Sequence, residues 1–122
     1  MKTAIIDVGG GMQAAFAAGV LACLQDEHIS FDLCYGVSAG AANLVNFLTG
    51  DMEASRSFYL DPEARKKVFS FSNFITKGSY VDFDRIYNDS EKLTKALDAD
   101  SSLTVVATNA FTGDPAYFTK RM

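Results

Sequence analysis

Gly36-Val37-Ser38-Ala39-Gly40 sits between two apolar runs, residues 31–37 before it and residues 41–48 after it. The first run has the length and composition of a buried strand. The second reads as a buried helix closed by Gly50. A serine on such a strand-to-helix elbow holds a strained backbone angle, and the flanking Gly36 and Gly40 relieve crowding where the chain turns. The helix behind it directs its amino-terminal dipole and free amides at the serine, which favours negative charge developing there. The pentapeptide alone fits two readings: Ser38 is a nucleophile, or it belongs to a tight structural turn.

The same order of elements occurs upstream. Residues 3–8 read as a short buried strand that ends in Gly9-Gly10-Gly11, and residues 12–27 read as a helix. Phe16, Val20, Leu21 and Leu24 recur at helical spacing, and the many alanines with Gly19 predict close packing on a sheet. Three glycines allow backbone amides to converge on an anion. One use is an oxyanion hole for acyl transfer. A second is a dinucleotide site, since Gly9-x-Gly11-x-x-Ala14 fits the pyrophosphate fingerprint. A third is a plain turn. The dinucleotide use calls for a carboxylate at the end of the second strand, where the sequence has Gly36, Val37 and Ser38. Strand, turn and helix repeated over residues 3–50 imply a parallel, right-handed α/β unit.

Further along, residues 53–60 and 62–69 read as short helices, with Pro62 in a first turn. Residues 71–84, rich in aromatics and broken at Lys77-Gly78, read mostly as loop. Ser90 is expected to cap a helix reaching about residue 100. Residues 103–110 read as a third strand, and Thr112-Gly113-Asp114-Pro115 turns into a fourth at residues 116–119, forming a hairpin. The 122 residues fit one domain. With 48% hydrophobic and 21% charged residues the chain is not of disordered type. A net charge of −4 argues against nucleic acid as a partner and against a general attraction to anionic membranes. Asp7 interrupts the first apolar stretch, so no signal peptide is read there, and no window approaches the ~18 apolar residues of a membrane helix. A cytoplasmic location is the expectation. Cys23 and Cys34 lack metal-ligand spacing and lie in apolar runs, so both are expected to be reduced and buried.

Taken together, Asp7-Val8-Gly9-Gly10-Gly11-Met12, Ala18-Gly19-Val20-Leu21 and Gly36-Val37-Ser38-Ala39-Gly40 resemble the patatin-like phospholipases over residues 3–50. Val105-Val106-Ala107-Thr108-Asn109 followed by Thr112-Gly113 is similar to that family's later strand and hairpin. The resemblance implies a three-layer α/β sandwich with a mainly parallel sheet. It implies hydrolysis of lipid or other acyl esters by a Ser–Asp dyad, with no metal or organic cofactor. On this resemblance Ser38 is the nucleophile on an elbow of Gly36 and Gly40, and Gly9, Gly10, Gly11 and Ala39 form the oxyanion hole. The family's aspartate lies in an Asp-Gly motif, and no Asp-Gly pair occurs in this sequence. Residues 1–122 are therefore expected to be a partial domain, with the carboxy-terminal portion and its aspartate beyond Met122. Gln13 and Ala14 stand where the family has a basic residue and a glycine, which implies an altered pocket.

Other candidates for a base fit ordinary roles. His28 precedes Ser38 and suits the end of the first helix; Asp82, Asp84, Asp89 and Asp114 suit exposed loops and turns; Asp7 suits organisation of the glycine loop. Phe69, Phe71, Phe74, Tyr80 and Phe83 fit either an acyl-chain pocket or cover over Ser38, or ordinary core beneath a long loop. Expected partners are a lipid or acyl-ester substrate, a peripheral membrane contact, and a second copy met at an exposed sheet edge. The alternatives are a non-catalytic acyl- or anion-binding module of the same fold and, more distantly, a dinucleotide-binding domain.

Overall fold

Short runs of aliphatic and β-branched residues form β1 (Ala4–Asp7), β2 (Leu33–Val37) and β3 (Ser102–Thr108), which lie side by side and parallel. β4 (Pro115–Thr119) returns antiparallel along β3, so the sheet order is β1-β2-β3-β4. Parallel neighbours need crossovers. The first is a 3-10 turn at Gly11–Gln13 leading into α1 (Ala14–Asp26). The second holds α2 (Ala39–Leu48), α3 (Met52–Leu60), α4 (Pro62–Val68), α5 (Phe71–Lys77), α6 (Phe83–Tyr87) and α7 (Ser90–Leu97). This computed structural model describes residues 1–87 and 89–120. The α/β class with a mainly parallel sheet is the one expected from the sequence. No described helix is long and apolar enough to cross a membrane.

The core lies between the sheet and α1, α2, α3 and α7. Cys34 and Leu103 point from the sheet to Ala14, Ala18 and Leu21 of α1 and to Leu44 and Phe47 of α2, joined by Met52, Tyr59 and Ala96. A buried leucine contributes about 1.5–3 kcal/mol, so Leu21, Leu44 and Leu103 anchor this layer. The buried stripe of α1 is the small one. Ala14, Ala18 and Leu21 face inward, whereas Phe16 is 81% exposed and Val20 also faces solvent, contrary to a reading that weights bulk. Small side chains let α1 approach α2 and α3 closely, and Phe16 lies on the face turned away from them. On the opposite sheet face Ile6 is 66% and Tyr117 is 64% exposed.

Several expectations change. Residues 71–77 form a helix where a loop is expected. The Ser70 hydroxyl accepts from the Asn73 amide at one end, and Gly78 at φ 72° closes the other. The cap of α7 is Asp89, whose carboxylate accepts from the Lys92 amide at 2.9 Å, and Ser90 is the first helical residue. Cys23 is exposed, while Cys34 is fully buried, and both are free thiols. Asp82 is buried and paired with Lys77 at 2.7 Å, so it is no solvated loop residue. Phe71, Phe74, Tyr80 and Phe83 are exposed, which removes the ordinary-core reading for all of the aromatic run except Phe69.

Candidate active site

β1 and β2 deliver the glycine loop and Ser38 to the same rim of the sheet, beyond their carboxyl ends, where open α/β sheets place ligands. Ser38 holds φ 54° and ψ −128°, a conformation that costs a side-chain-bearing residue about 1–3 kcal/mol. Its hydroxyl does not cap α2, is exposed, and makes no hydrogen bond among the described residues. Tight backbone packing holds the strain in place. A Cβ on Gly36 would lie 2.5 Å from the Ala41 Cα, and one on Gly40 would overlap the Asp7 carbonyl oxygen.

The same packing joins the two motifs. A Cβ on Gly9 would overlap the Val37 carbonyl and lie 3.0 and 3.1 Å from the Gly40 and Ala39 amide nitrogens. Gly9, Gly10 and Gly11 all have positive φ, at 72°, 104° and 60°, and the backbone at Gly9 packs against the elbow. The Gly9 amide donates to the Asp7 carboxylate at 3.0 Å. Gly9 therefore gives the loop its shape and close approach, and its N–H is not available to an oxyanion. The Gly10 and Gly11 amides have no acceptor among the described residues, and Ala39 opens α2 with an amide that no helical carbonyl takes up.

Beneath the loop lies a residue that the sequence reading did not single out. Asn43, 1% exposed on α2, donates to Asp7 at 3.1 Å and to the Ala14 carbonyl at 3.0 Å. Its carbonyl oxygen accepts from the Ser55 hydroxyl and the Tyr59 phenol, each at 3.3 Å. One amide thus ties α3, the start of α1 and the carboxylate that orients Gly9. The available signal was an asparagine among the apolar residues of a buried helix, since such a group must find partners. Ala14 stands at φ −64° and ψ −7°, in the right-handed region open to any residue with a side chain. The Gln13 carboxamide folds back over Gly10, 3.2 Å from where a Cβ would stand.

An open groove of about 540 Å³ runs from Ser38 toward the β3–β4 hairpin, lined by Val37, Ala41, Val106, Thr108 and Pro115 among others. No imidazole or carboxylate bonds to Ser38 among the described residues. His28 closes the far end of α1, about 20 Å of helix away, at φ 54° with its amide on Gln25 and the Ile29 amide on Leu24. It takes the left-handed position usually given to glycine. Asp84 is exposed, Asp89 is a cap, and Asp114 sits in the hairpin turn. Among the described residues no group of three His, Cys, Asp or Glu could hold a metal ion.

Comparison with known proteins extends the picture. A family model described as patatin-like phospholipase matches residues 8–120. "Uncharacterized protein YjjU" of Escherichia coli (strain K12) is 31% identical over 84 residues, which is 68% of this chain and 24% of that protein. The chain thus spans about a quarter of the length of the curated relative it matches. No solved structure matches significantly.

Proposed function

This chain belongs to the patatin-like phospholipase family, and on that premise we propose that it carries the nucleophile and oxyanion hole of a serine acyl hydrolase acting on lipid or other acyl esters. The observation that carries the reading is the packing of the strained Ser38 elbow against the glycine loop at the mouth of an apolar groove. An ester carbonyl above Ser38 is attacked by its hydroxyl oxygen, and the proton passes to an aspartate supplied by the longer protein. The amides of Gly10, Gly11 and Ala39 hold the oxyanion of the tetrahedral intermediate. Its collapse expels the alcohol, which takes up the proton, and water then releases the acyl group from Ser38. No step requires a metal or organic cofactor.

The loop that carries the Gly10 and Gly11 amides is held at Gly9 by Asp7, which Asn43 holds in turn, and a loop fixed in this way supports a role for those amides in catalysis. A second reading, a non-catalytic acyl- or anion-binding module, draws on the lack of any base bonded to Ser38 among the described residues. Assaying p-nitrophenyl butyrate with residues 1–122 and with the chain extended past its first downstream Asp-Gly pair separates the two. The hydrolase reading expects Ser38-dependent turnover from the extended chain and almost none from the shorter one. Ester binding without turnover in both would favour the binding module. The exposed Phe71, Phe74 and Ile75 support a peripheral contact of this molecule with lipid.

A further inference from the structure

Between β2 and β3 the chain makes an excursion, residues 70–80, in which no residue is buried. It leaves and returns through a neck where Phe69 and Val81 form an antiparallel bridge. The Ser70 amide donates to the Tyr80 carbonyl at 3.1 Å, and the Asp82 amide donates to the Val68 carbonyl at 2.8 Å. The Phe69 ring contacts Phe58 of α3 and Tyr80. The Asn73 carboxamide donates back to the Lys67 and Val68 carbonyls, and Lys77 pairs with the buried Asp82 at 2.7 Å. α5 is therefore well fixed, yet fixed by polar bonds at its ends. Phe71, Phe74 and Ile75 fall at i, i+3 and i+4 on one face, and Phe71 is 68% and Ile75 72% exposed. The Phe71 and Phe74 rings stack on each other at 5.9 Å. A helix that covers a core buries its apolar residues, whereas this one holds them out.

Charge along the same segment runs against the rest of the chain. Residues 64–81 contain Arg65, Lys66, Lys67 and Lys77 and no carboxylate, so all 15 acidic residues lie elsewhere in a chain of net charge −4. The cations of α4 suit its last turn, and Lys77 is engaged by Asp82. Lys66 and Lys67, both exposed, stand just before the neck. Lys66 pairs with Glu63 in a solvated i,i+3 contact that is cheaply given up, and Lys67 makes no ion pair among the described residues. Apolar rings edged by solvated ammonium groups match an anionic lipid surface. The rings enter the interface, while the long lysine stems keep their charges among the phosphates. A protein segment laid over the same face would desolvate those charges together with the rings.

We propose that α5 and the end of α4 form a docking surface for an anionic lipid bilayer, with Phe71, Phe74 and Ile75 inserted at the interface and Lys66 and Lys67 on the lipid phosphates. The negative charge of the whole molecule opposes such a surface, so the molecule docks with this excursion leading. The proposal rests on the hydrolase reading for its purpose, the delivery of the protein to acyl esters in a membrane, while docking itself needs no catalysis.

The test sediments full-length protein carrying Ser38→Ala with vesicles of phosphatidylcholine alone, and with vesicles of equal parts phosphatidylcholine and phosphatidylglycerol. Binding is expected on the anionic vesicles, weakening as salt rises, with little on the neutral ones. Lys66→Gln and Lys67→Gln should each weaken it about fivefold. Phe71→Ser combined with Phe74→Ser should weaken it about tenfold or more, with the melting temperature unchanged because neither ring is buried. Phe111→Ser, which removes a fully exposed ring from the β3–β4 hairpin, should leave binding as it was. Equal binding to both vesicles, binding to neither, indifference to the Phe71 and Phe74 changes, or an equal loss in Phe111→Ser would each overturn the proposal. With Ser38 restored, Ser38-dependent turnover of soluble p-nitrophenyl butyrate without vesicle binding sinks the docking surface and keeps the hydrolase. Binding to the anionic vesicles with no turnover of that ester does the reverse.

Discussion

Ser38 is held at φ 54° by neighbours that leave it no room to relax, and each of these neighbours is a glycine or a backbone atom. Gly40→Ala would drive a methyl into Asp7, whereas Gly11→Ala meets nothing within 4 Å and bears only the cost of its φ of 60°. We expect urea denaturation to show Gly11→Ala about 1–2 kcal/mol less stable than the parent, and Gly40→Ala clearly worse. Cysteine chemistry offers a second check. Burial pushes the Cys34 thiol up to about 11, while Cys23 is exposed. Iodoacetamide at pH 8 should alkylate Cys23 and spare Cys34 in the native protein; equal labelling would contradict the packing. The glycines and Ser38 were legible in the sequence because a residue that tolerates such backbone angles is rare and its spacing is informative. The exposure of Cys23 was not, because an apolar run does not say which helical face turns inward.

At the scale of elements, strands and helices were read from apolar runs and glycine stops, and the two crossovers followed from their order. The misreadings concern faces and caps. α1 buries Ala14, Ala18 and Leu21, while Phe16 lies on the face turned away from α2 and α3. α5 was hidden because the aromatic content and the Lys77-Gly78 break read as loop, although Phe71, Phe74 and Ile75 recur at i, i+3 and i+4, and the Ser70 cap and Gly78 stop bound the helix. Asn43 belongs to this scale too, as it joins α2 to α1, α3 and the glycine loop. Asn43→Leu removes an amide donor from the buried Asp7 carboxylate and the acceptor of the Ser55 hydroxyl. A loss of about 1–3 kcal/mol in urea is expected, with slower reaction at Ser38 as Gly9 loosens. Unchanged stability would mean that the network does not hold these elements together.

The whole molecule has helices over one face of its sheet, while Ile6 and Tyr117 remain exposed on the other. Parallel strands are ordinarily buried on both faces, so residues 1–122 alone should self-associate as concentration rises, measurable by sedimentation. Ile6→Lys with Tyr117→Lys should restore the monomer. Acid acts on the molecule through three carboxylates held below their ordinary 3.8: Asp82 by the Lys77 ammonium, Asp51 by Lys92, and Asp32 by the Thr3 amide and hydroxyl. Their lowered values mean that the stability they contribute is complete above the unfolded value and lost as pH falls through the folded ones. The urea midpoint should therefore drop below about pH 4. The central claim is that Ser38 is the nucleophile, and a fluorophosphonate probe on the full-length protein reads it directly by mass spectrometry. A single adduct on the peptide containing Ser38, absent in Ser38→Ala, is the predicted result. An adduct that persists in Ser38→Ala, or none on the parent protein, would contradict it.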